Sequence, residues 1–431
     1  MKKALEIILY YLAKIILWRY KPQIIGVTGS VGKTSTKEAI YAVLKEKFKV
    51  RRNIKNYNNE IGVPLTIIGA KAGGRNIFLW LAVFFKALVV AIYWPYPKVI
   101  VLEMGADKPG DIKYLIKLAP CHIGIITAVG ENPVHLEFFK NVEHLIREKA
   151  NIITHLKSND FAVINTDDAS LKLLVEKTKA SLYTIGQNEK ALIRVSDINY
   201  TLDLERAMAE ESAGISFKVN YQGHTVPFKI MNALGEPQVY AALCAIACGL
   251  ILKMNLVEIS AALKNYKPPK GRMNLLKGIK DTIIIDDSYN SSPLACEKAL
   301  EVLSKVQVTG RKIACLGNME ELGDNSKKAH RELGRFIAES GVDILITVGD
   351  KALNMAEAAK EKNMTAGTVL SYTTSNEASR PVQDEIHRGD IILIKGSQSA
   401  RMEIITKEIM ANPELAEDLL VRQEKSWAKN N

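Results

Sequence analysis

The chain has 431 residues, of which 47% are apolar and 24% are charged. This length and balance predict a folded protein of two or three domains. Basic residues outnumber acidic ones by 58 to 47, and the net charge of +11 favours nucleotides, anionic precursors or an anionic membrane surface as partners. No basic stripe interleaved with aromatic residues is present, so nucleic acid is not an expected partner. The five cysteines form no C-x-x-C pair, which excludes a disulfide framework or zinc site and predicts buried thiols in a reducing compartment.

Residues 4–18 are almost wholly apolar, and the few polar positions recur every three or four residues. This spacing predicts a helix with one narrow polar stripe. A signal peptide is the competing interpretation, but Glu6 and Lys14 lie inside the apolar region and no small-residue cleavage site follows. Trp18 and its basic neighbours favour a helix that lies at a membrane interface.

A glycine-rich turn follows the apolar run at residues 24–27 and precedes a helical pattern. Strand, flexible loop and helix in this order suit a polyphosphate site, because glycines let backbone N–H groups approach the phosphates. A lysine can reach the β- and γ-phosphates and a threonine hydroxyl can hold Mg²⁺. Strict Walker spacing would place glycine at Val27, so an ordinary glycine turn is the alternative. The candidate nucleotide-binding residues are Gly29, Ser30, Gly32, Lys33, Thr34 and Ser35.

A second apolar stretch at residues 77–94 is interrupted only by Lys86 and closed by Pro95. By length it could span a bilayer. However, the glycine-rich turn precedes it and the strand at 99–104 follows it, and both must lie on one side of a membrane to share one ATP. The favoured interpretation is a monotopic element packed with the N-terminal helix. A buried soluble hairpin and a re-entrant or paired span are the alternatives.

Strands alternate with helices from residue 98 onward, which predicts an α/β fold with a parallel, doubly wound sheet. Residues 192–230 are β-rich, and residues 266–272 form the best linker, after which a second alternation begins. We therefore predict an N-terminal apolar helix, a P-loop-type central ATP-binding domain with an apolar insertion, a hinge, and a Rossmann-like C-terminal α/β domain. The corresponding boundaries are 1–21, 22–265 with the insertion at 76–95, 266–272, and 273–431.

Three further polar residues are candidates for chemistry. Glu103 ends an apolar strand at the edge where α/β sheets bind ligands, and a carboxylate there suits Mg²⁺ beside phosphates. His135 follows the next strand and falls on the same edge, although a lone histidine is more often structural. Lys149 lies on the next predicted helix, where an ordinary lysine would be solvated.

Taken together, these motifs resemble those of Mur ligases. Their order over roughly residues 22–410 is specific, whereas no single motif is. Within the family they look most like the branch that adds D-alanyl-D-alanine to a UDP-linked tripeptide. The stretches that carry the resemblance are Gly29 to Thr36, Asn58 to Leu65, Glu103 to Ala106, His135 to Glu137, Lys149, Gly271 and Arg272, Asp286 to Asn290, Leu316 to Gly323, and Lys395 to Ser397.

The resemblance implies roles in the central domain. Lys33 and Thr34 would hold the ATP phosphates and a first Mg²⁺, with Glu103 and His135 as metal ligands. Lys149 resembles the lysine that this family carbamylates, which gives an anion that supports a second Mg²⁺.

The resemblance also implies roles for the hinge and the C-terminal domain. Arg272 would reach the γ-phosphate as the hinge closes. Three residues would meet the nucleotide and the incoming amine, namely Asp286, Tyr289 and Asn290. Substrate contacts would come from Asn58, Asn59, Lys395 and Ser397.

The implied activity is ATP-dependent amide formation in the cytoplasm, on a cell-wall peptide precursor of peptidoglycan synthesis. ATP would convert a carboxylate into an acyl phosphate, which the amine of an amino acid or dipeptide would then attack. Rival ligases of the superfamily act on folates or amidate lipid precursors. The motifs Asn58 to Glu60 and Asp286 to Asn290 disfavour a folate ligase. The absence of a four-cysteine zinc ribbon disfavours an amidating ligase. A membrane-docked, non-catalytic ATP-binding scaffold is the alternative from another class. It is disfavoured because the residues for the metal and the carbamate are intact, namely Lys33, Glu103, His135 and Lys149.

The sequence departs from the family pattern in two places. Family members of this branch carry a UDP-sugar-binding domain before the phosphate loop, whereas here the loop begins near residue 26. We therefore expect that domain to be lacking and peripheral docking on the inner face of the cytoplasmic membrane to replace it. Pro237 and Gln238 also stand where the family often has His-Asn near the adenine.

Overall fold

The computed structural model describes residues 2–54, 57–93, 95–129, 138–171, 177–202, 213–424 and 427. The strands within these residues form two sheets, of nine and six strands. The first sheet contains β1 Gln23–Thr28, β2 Val50–Arg52, β3 Val99–Glu103, β4 Ile123–Ile126, β5 Phe161–Asn165, β6 Ser181–Gly186, β7 Ile193–Leu202, β8 Ala213–Tyr221 and β9 His224–Met231. The second contains β10 Asn274–Lys277, β11 Ile283–Asp287, β12 Lys312–Gly317, β13 Ile344–Val348, β14 Val369–Tyr372 and β15 Ile391–Lys395.

Helices cover the faces of both sheets. Those that accompany the first sheet are α1 Lys2–Tyr20, α2 Lys33–Leu44, α3 Gly62–Ile68, α4 Ile77–Ile92, α5 Asp111–Leu118, α6 Val142–Thr154, α7 Glu236–Ile251 and α8 Leu256–Leu263. Those that accompany the second sheet are α9 Pro293–Lys305, α10 Ser326–Glu339, α11 Leu353–Glu361, α12 Ser375–Glu385, α13 Glu403–Ile409 and α14 Ala416–Leu419. Short 3₁₀ turns lie at Ala169–Leu171, Gly323–Asn325, Ala366–Thr368, Gln398–Ala400 and Pro413–Leu415.

The first sheet has the strand order β2-β3-β1-β4-β5-β6-β7-β8-β9. Strands β2 to β7 run parallel, and β8 and β9 are added antiparallel. Because β1 pairs with β3 on one side and with β4 on the other, the carboxyl ends of these three strands meet at one edge. That edge is where open parallel sheets bind ligands.

The central strands β1, β3 and β4 are buried on both faces of the first sheet, which is why they are continuous apolar runs. All five residues of β3 are buried. One face packs against α2, α7 and α8, and the other packs against α1, α3, α5 and α6, with α4 outside them. These two cores hold the ends of β1, β3 and β4 in place.

The second sheet has the order β10-β11-β15-β12-β13-β14, with β10 antiparallel and the other strands parallel. Strands β11 and β15 are neighbours, and their last residues, Asp287 and Lys395, are in register. The predicted α/β fold with two parallel-strand sheets is confirmed, and the predicted β-rich stretch at 192–230 contains β7, β8 and β9. All five cysteines are buried free thiols, as expected.

The segment between the sheets is tied to the first sheet's helices. The Tyr266 hydroxyl donates to Oε1 of Gln238 at 2.8 Å and lies 3.3 Å from the carbonyl oxygen of Ser35. Nε2 of Gln238 donates to the carbonyl oxygen of Arg272 at 2.9 Å. The buried Gln238 side chain therefore anchors both ends of the segment 266–272 to α7, beside the start of α2.

The two apolar segments both form helices and pack together. Leu9, Ala13 and Ile16 of α1 share a core with Val83 and Ala87 of α4. The opposite sides of both helices are exposed, so α4 is not a buried hairpin. None of the helices described is long and apolar enough to cross a bilayer.

Candidate active site

The loop between β1 and α2 is shaped by two glycines and held by the end of β4. Gly29 has φ +147, and a Cβ added there would lie 2.0 Å from the hydroxyl of Thr127. Gly32 has φ +86 and precedes the first residue of α2. Thr127 donates to the carbonyl oxygen of Val31 at 2.6 Å, and the N–H of Ser30 donates to Ala128 at 2.7 Å. The loop is thus preformed above the amino end of α2, which favours anions.

Lys33 is the first residue of α2, and its side chain folds back into this loop. Its Nζ donates to the carbonyl oxygens of Gly29 at 2.8 Å and Ser30 at 3.3 Å. Burial lowers the pKa of Lys33, Glu103 acts in the opposite direction, and the nearby charge of Arg272 lowers it further. Glu103 therefore offsets only part of the positive charge of Lys33 and Arg272, and an anionic ligand would offset the rest.

Glu103, at the end of β3, is 5% exposed and is held in place by hydrogen bonds to neighbouring polar side chains. The hydroxyl of Thr34 donates to its Oε2 at 3.0 Å, and Nδ2 of Asn58 donates to its Oε1 at 3.3 Å. Asn53 exchanges two hydrogen bonds with the backbone of Glu103, each 2.9 Å long. The hydroxyl and carboxylate predicted to serve one metal therefore converge.

Lys37 also lies in the candidate site, and the sequence interpretation missed it. Its side chain is 1% exposed, and Nζ lies 3.5 Å from Oε2 of Glu103 and 3.5 Å from Oε1 of Glu38. Lys37 follows Lys33 by one helical turn, so both lysines lie on the same side of α2. This spacing could have indicated Lys37 from the sequence. The ion pair with Glu103 could not have been predicted in this way, because it depends on the pairing of β1 with β3.

Lys149, on α6, is 2% exposed and is not a solvated lysine. Its Nζ donates to Oγ of Ser30 at 2.8 Å, which places it directly beside the phosphate loop. Burial lowers its pKa well below the ordinary value, the positive charge of Lys33 lowers it further, and Asp107 opposes the shift. The environment thus favours the neutral amine.

The donors at this edge fit Mg²⁺. This ion is usually bound by one or two protein groups together with phosphate oxygens and water. Thr34 and Glu103 provide a hydroxyl and a carboxylate beside the loop. Within the described residues no group of three or more histidine, cysteine, aspartate or glutamate side chains forms a metal cluster. The predicted ligand His135 lies outside the described residues.

The second sheet faces the phosphate loop across a narrow cavity of about 50 Å³. Arg272, Asp287 and Lys395 line it opposite Gly32 and Thr34. The guanidinium of Arg272 stacks 4.2 Å from the ring centre of Tyr289. Nζ of the buried Lys395 donates to Oδ2 of Asp287 at 2.6 Å and to the carbonyl oxygen of Asn290 at 3.0 Å.

The two adjacent aspartates of β11 face opposite sides of their sheet, as alternation along a strand requires. Asp287 faces the cavity, whereas Asp286 accepts a hydrogen bond from the hydroxyl of Thr406 at 3.3 Å. Burial raises the pKa of Asp286 to about 6. The sequence predicted Asp286 as a site residue, whereas Asp287 is the aspartate that lines the cavity.

The remaining predicted site residues lie further from the loop. Oδ1 of Asn59 accepts from the backbone N–H of Gly62 at 2.9 Å and so supports the start of α3. Oγ of Ser397 accepts from the N–H of Glu320 at 2.8 Å. Asn59 also lines a cavity of about 290 Å³ together with Glu6, Glu60 and Asp107. This cavity opens beside Gly105, two residues beyond Glu103.

A larger cavity of about 970 Å³ begins at the other side of the phosphate loop. Gly32 and Pro237 line both this cavity and the narrow one, so the two adjoin each other at the loop. Asp167 and Tyr240 are joined by a hydrogen bond of 2.7 Å on its wall. Gln238, next to Pro237, faces the linker instead.

The fold and the site together define a class of protein. The first sheet presents a preformed glycine-rich loop with a buried lysine and an adjacent carboxylate, and these groups face a second α/β domain across a cleft. This arrangement is typical of two-domain enzymes that transfer a phosphoryl group between bound reactants.

Comparison with known proteins identifies the family. The sequence pattern of the Mur ligase middle domain matches residues 27–79 and 95–249, and that of the Mur ligase glutamate ligase domain matches residues 271–398. The chain therefore belongs to the Mur ligase family, and it is an ATP-dependent peptide ligase.

Individual relatives agree with this assignment. The UDP-N-acetylmuramoyl-tripeptide–D-alanyl-D-alanine ligase of Bacillus subtilis is 28% identical over 405 residues, which cover 94% of this chain and 79% of that protein. The structure of MurF ligase from Thermotoga maritima in complex with ADP is similar, with a TM-score of 0.75, 25% identity and coverage of 93% of this chain and 82% of that one. MurF from Acinetobacter baumannii has the same fold, with a TM-score of 0.75, 24% identity and coverage of 92% and 79%.

Proposed function

We propose that this ligase joins a carboxylate of a cell-wall peptide precursor to the amine of an amino acid or a dipeptide such as D-alanyl-D-alanine. The names of its relatives support these substrates. The observation that carries the proposal is the convergence of Lys33, Glu103 and Lys149 at one edge of the first sheet, opposite Arg272. A nucleotide-binding scaffold would not need two further buried ionisable groups beside its phosphate loop.

ATP would occupy the space around the phosphate loop. Its phosphates would lie over the amino end of α2, where Lys33 would exchange its contacts with Gly29 and Ser30 for phosphate oxygens. The nucleoside would enter the cavity of about 970 Å³, whose wall includes Asp167, Pro237 and Tyr240. Ser35 and Gly32 stay close to the phosphates because both belong to the turn that starts α2.

Mg²⁺ would be held by Thr34 and Glu103, with His135 as the further predicted ligand. When bound, the ion would neutralise charge on the phosphate oxygens during transfer. Lys37 is a positioning residue in this proposal, because its buried ammonium faces the same carboxylate oxygen that accepts the Thr34 hydroxyl.

Lys149 would carry a carbamate. Its neutral amine would form an N–C bond to CO₂ and release one proton, which converts an uncharged group into an anion beside the loop. Burial of Nζ and the neighbouring charge of Lys33 support this step, since both favour the unprotonated nucleophile. The resulting carboxylate-like group would support the second Mg²⁺.

The reaction would proceed through an acyl phosphate. The acceptor carboxylate would attack the γ-phosphorus, and the bond from that phosphorus to ADP would break. The amine would then form the C–N bond as phosphate leaves the carbonyl carbon and the amine loses a proton. Lys33 and Arg272 would offset the charge on the transferred group, with Arg272 arriving as the linker at 266–272 moves.

The two substrates would approach from different sides. The acceptor peptide would pass Asn58 and Asn59, next to the cavity of about 290 Å³. The incoming amine would meet the second domain near Tyr289 and Asn290, where Lys395 and Ser397 would face its own carboxylate. We also propose that the protein works in the cytoplasm and contacts the inner face of the membrane peripherally.

A phosphate-release screen tests this function. The full chain is incubated with Mg²⁺ and ATP, with soluble UDP-linked or membrane-anchored peptide precursors, and with a panel of amino acids and D-dipeptides. We expect ADP and phosphate only when an acceptor and an amine are both present, together with a new amide product. Tight ATP binding without turnover in any combination would support the scaffold alternative instead.

A further inference from the structure

Helices α1 and α4 form an exposed apolar surface that the reaction does not use. Most of the large apolar side chains exposed in the described part of the chain lie on these helices or immediately after α4. We call this the α1–α4 face. Its exposed residues are Ile7, Ile8, Tyr11, Ile15, Trp18, Ile77, Phe78, Leu79, Leu81, Phe85, Leu88, Ile92 and Tyr93.

The α1–α4 face is a single surface, because both of its helices pack on the same core. The inner sides of both helices are buried in the same core, and the Tyr20 hydroxyl donates to the carbonyl oxygen of Val90 at 2.7 Å. The ring of Tyr20 also stacks on Tyr96, 4.5 Å between centres. Trp18 is 75% exposed and Phe78 is 76% exposed, so these side chains are not covered by a neighbouring element. A contiguous apolar face of this size on a soluble protein marks an interaction surface.

Basic residues predominate around this face. Residues 7–37 and 61–102 contain no aspartate or glutamate. Exposed basic residues border the face, namely Lys14, Arg19, Lys21, Lys71, Arg75, Lys86 and Lys98. Glu6, at the start of α1, lies 3.8 Å from the ammonium of Lys2, which also lies 3.7 Å from Glu60. An apolar face bordered by cations, with its nearest acid paired, is complementary to a bilayer with anionic headgroups.

Most of the face also lies outside the segments that match the family patterns. The Mur ligase patterns match residues 27–79, 95–249 and 271–398, which leaves out α1 and most of α4. Both helices pack on the face of the first sheet that is opposite α2, α7 and α8. Glu6 of α1 nevertheless lines the cavity of about 290 Å³ near Glu103, so one end of the face reaches the active-site edge.

We propose that the α1–α4 face docks flat on an anionic lipid bilayer, with Trp18 and Tyr93 at headgroup level and the phenylalanines of α4 among the acyl chains. This inference rests on the proposed peripheral contact with the membrane, and it names the surface, the lipid charge and the orientation. Docking places the cavity near Glu103 at the leaflet, so a peptide precursor anchored in that leaflet reaches the site from the membrane surface.

Vesicle flotation of the full chain without detergent tests this proposal. We expect the protein to float with vesicles of phosphatidylglycerol and phosphatidylcholine and to remain below pure phosphatidylcholine vesicles. Phe85→Asp with Leu88→Asp is expected to weaken binding at least tenfold, because two side chains that enter the acyl region become charged. Val257→Asp is the matched control, since Val257 is 70% exposed on α8, away from this face, and should not alter binding.

A second pair of substitutions tests whether binding depends on the negative charge of the lipid. Lys14→Glu with Arg19→Glu should weaken binding by at least an order of magnitude, since each cation near an anionic surface contributes roughly fivefold. Raising the salt concentration should weaken wild-type binding in the same direction. Both double variants should release phosphate from soluble substrates at the wild-type rate, which separates failure of docking from failure of the ligase reaction.

Three results would overturn the proposal. The first is full-length protein that stays below anionic vesicles. The second is equal binding to neutral and anionic vesicles. The third is a stable dimer in light scattering that the Phe85→Asp and Leu88→Asp pair converts to monomer, because a second copy would then occupy the face.

Discussion

Replacement of Lys37 by methionine removes a buried charge while keeping most of the side-chain volume. The Lys37 ammonium lies 3.5 Å from Glu103, whose carboxylate is 5% exposed. Breaking a buried ion pair by removing one partner typically costs about 3–5 kcal/mol, because the other charge stays buried. We expect about 3 kcal/mol here, since 3.5 Å is longer than a direct charge-assisted hydrogen bond. For a domain of this size the cost lowers Tm by roughly 6–12 °C.

Thermal unfolding with and without Mg²⁺ and ATP measures this effect. The metal would bring a replacement positive charge to Glu103, so ligand should stabilise Lys37→Met more than the wild type. Lys45→Met, at the exposed end of the same helix, is the control and should cost less than about 1 kcal/mol. In the double variant with Glu103→Gln the cost should fall well below the sum of the two single costs. Additive costs, or a Lys37→Met effect no larger than that of Lys45→Met, would refute the positioning role.

Three further predictions concern the site and the second domain. Lys149→Ala should abolish amide formation while ATP still binds, and a short carboxylic acid should partly restore turnover; near-normal turnover would remove Lys149 from the site. Arg272→Ala should lower kcat far more than nucleotide affinity, as expected for a group engaged only in the closed state, and equal losses would indicate a static contact. Asp286 has a folded-state pKa raised from 3.8 to about 6, so its ionisation destabilises the fold as pH rises through this interval. Relative to Asp286→Asn, the wild type should lose about 2 kcal/mol between pH 4 and 6.5, measured by urea unfolding; a pH-independent difference would contradict the buried placement.

The parts of the fold that are encoded locally were predictable. The glycine spacing after an apolar run predicted the turn between β1 and α2, and apolar periodicity predicted α1, α4 and most strands of both sheets. Elements with weak local signals were missed. β2 has only three residues, and α12 contains Pro381 within the helix, a residue that normally predicts a helix end.

Site residues that depend on tertiary contacts were only partly predictable. Lys37 meets Glu103 because β1 and β3 are neighbours, and no local pattern announces that pairing. Strand alternation places Asp286 and Asp287 on opposite faces, but which of them faces the cleft depends on how the two domains pack. The role of Gln238 as an anchor of the linker likewise requires the three-dimensional contact with Tyr266.

The central claim is that amide formation proceeds through an acyl phosphate, and isotope transfer tests it most directly. An acceptor precursor whose reacting carboxylate carries ¹⁸O in both oxygens is incubated with the full chain, Mg²⁺, ATP and the amine, and the released phosphate is analysed by mass spectrometry. Because phosphate leaves with one former carboxylate oxygen, we expect one ¹⁸O in phosphate for each amide formed. Amide formed with unlabelled phosphate, or with AMP and pyrophosphate as the nucleotide products, would contradict the mechanism.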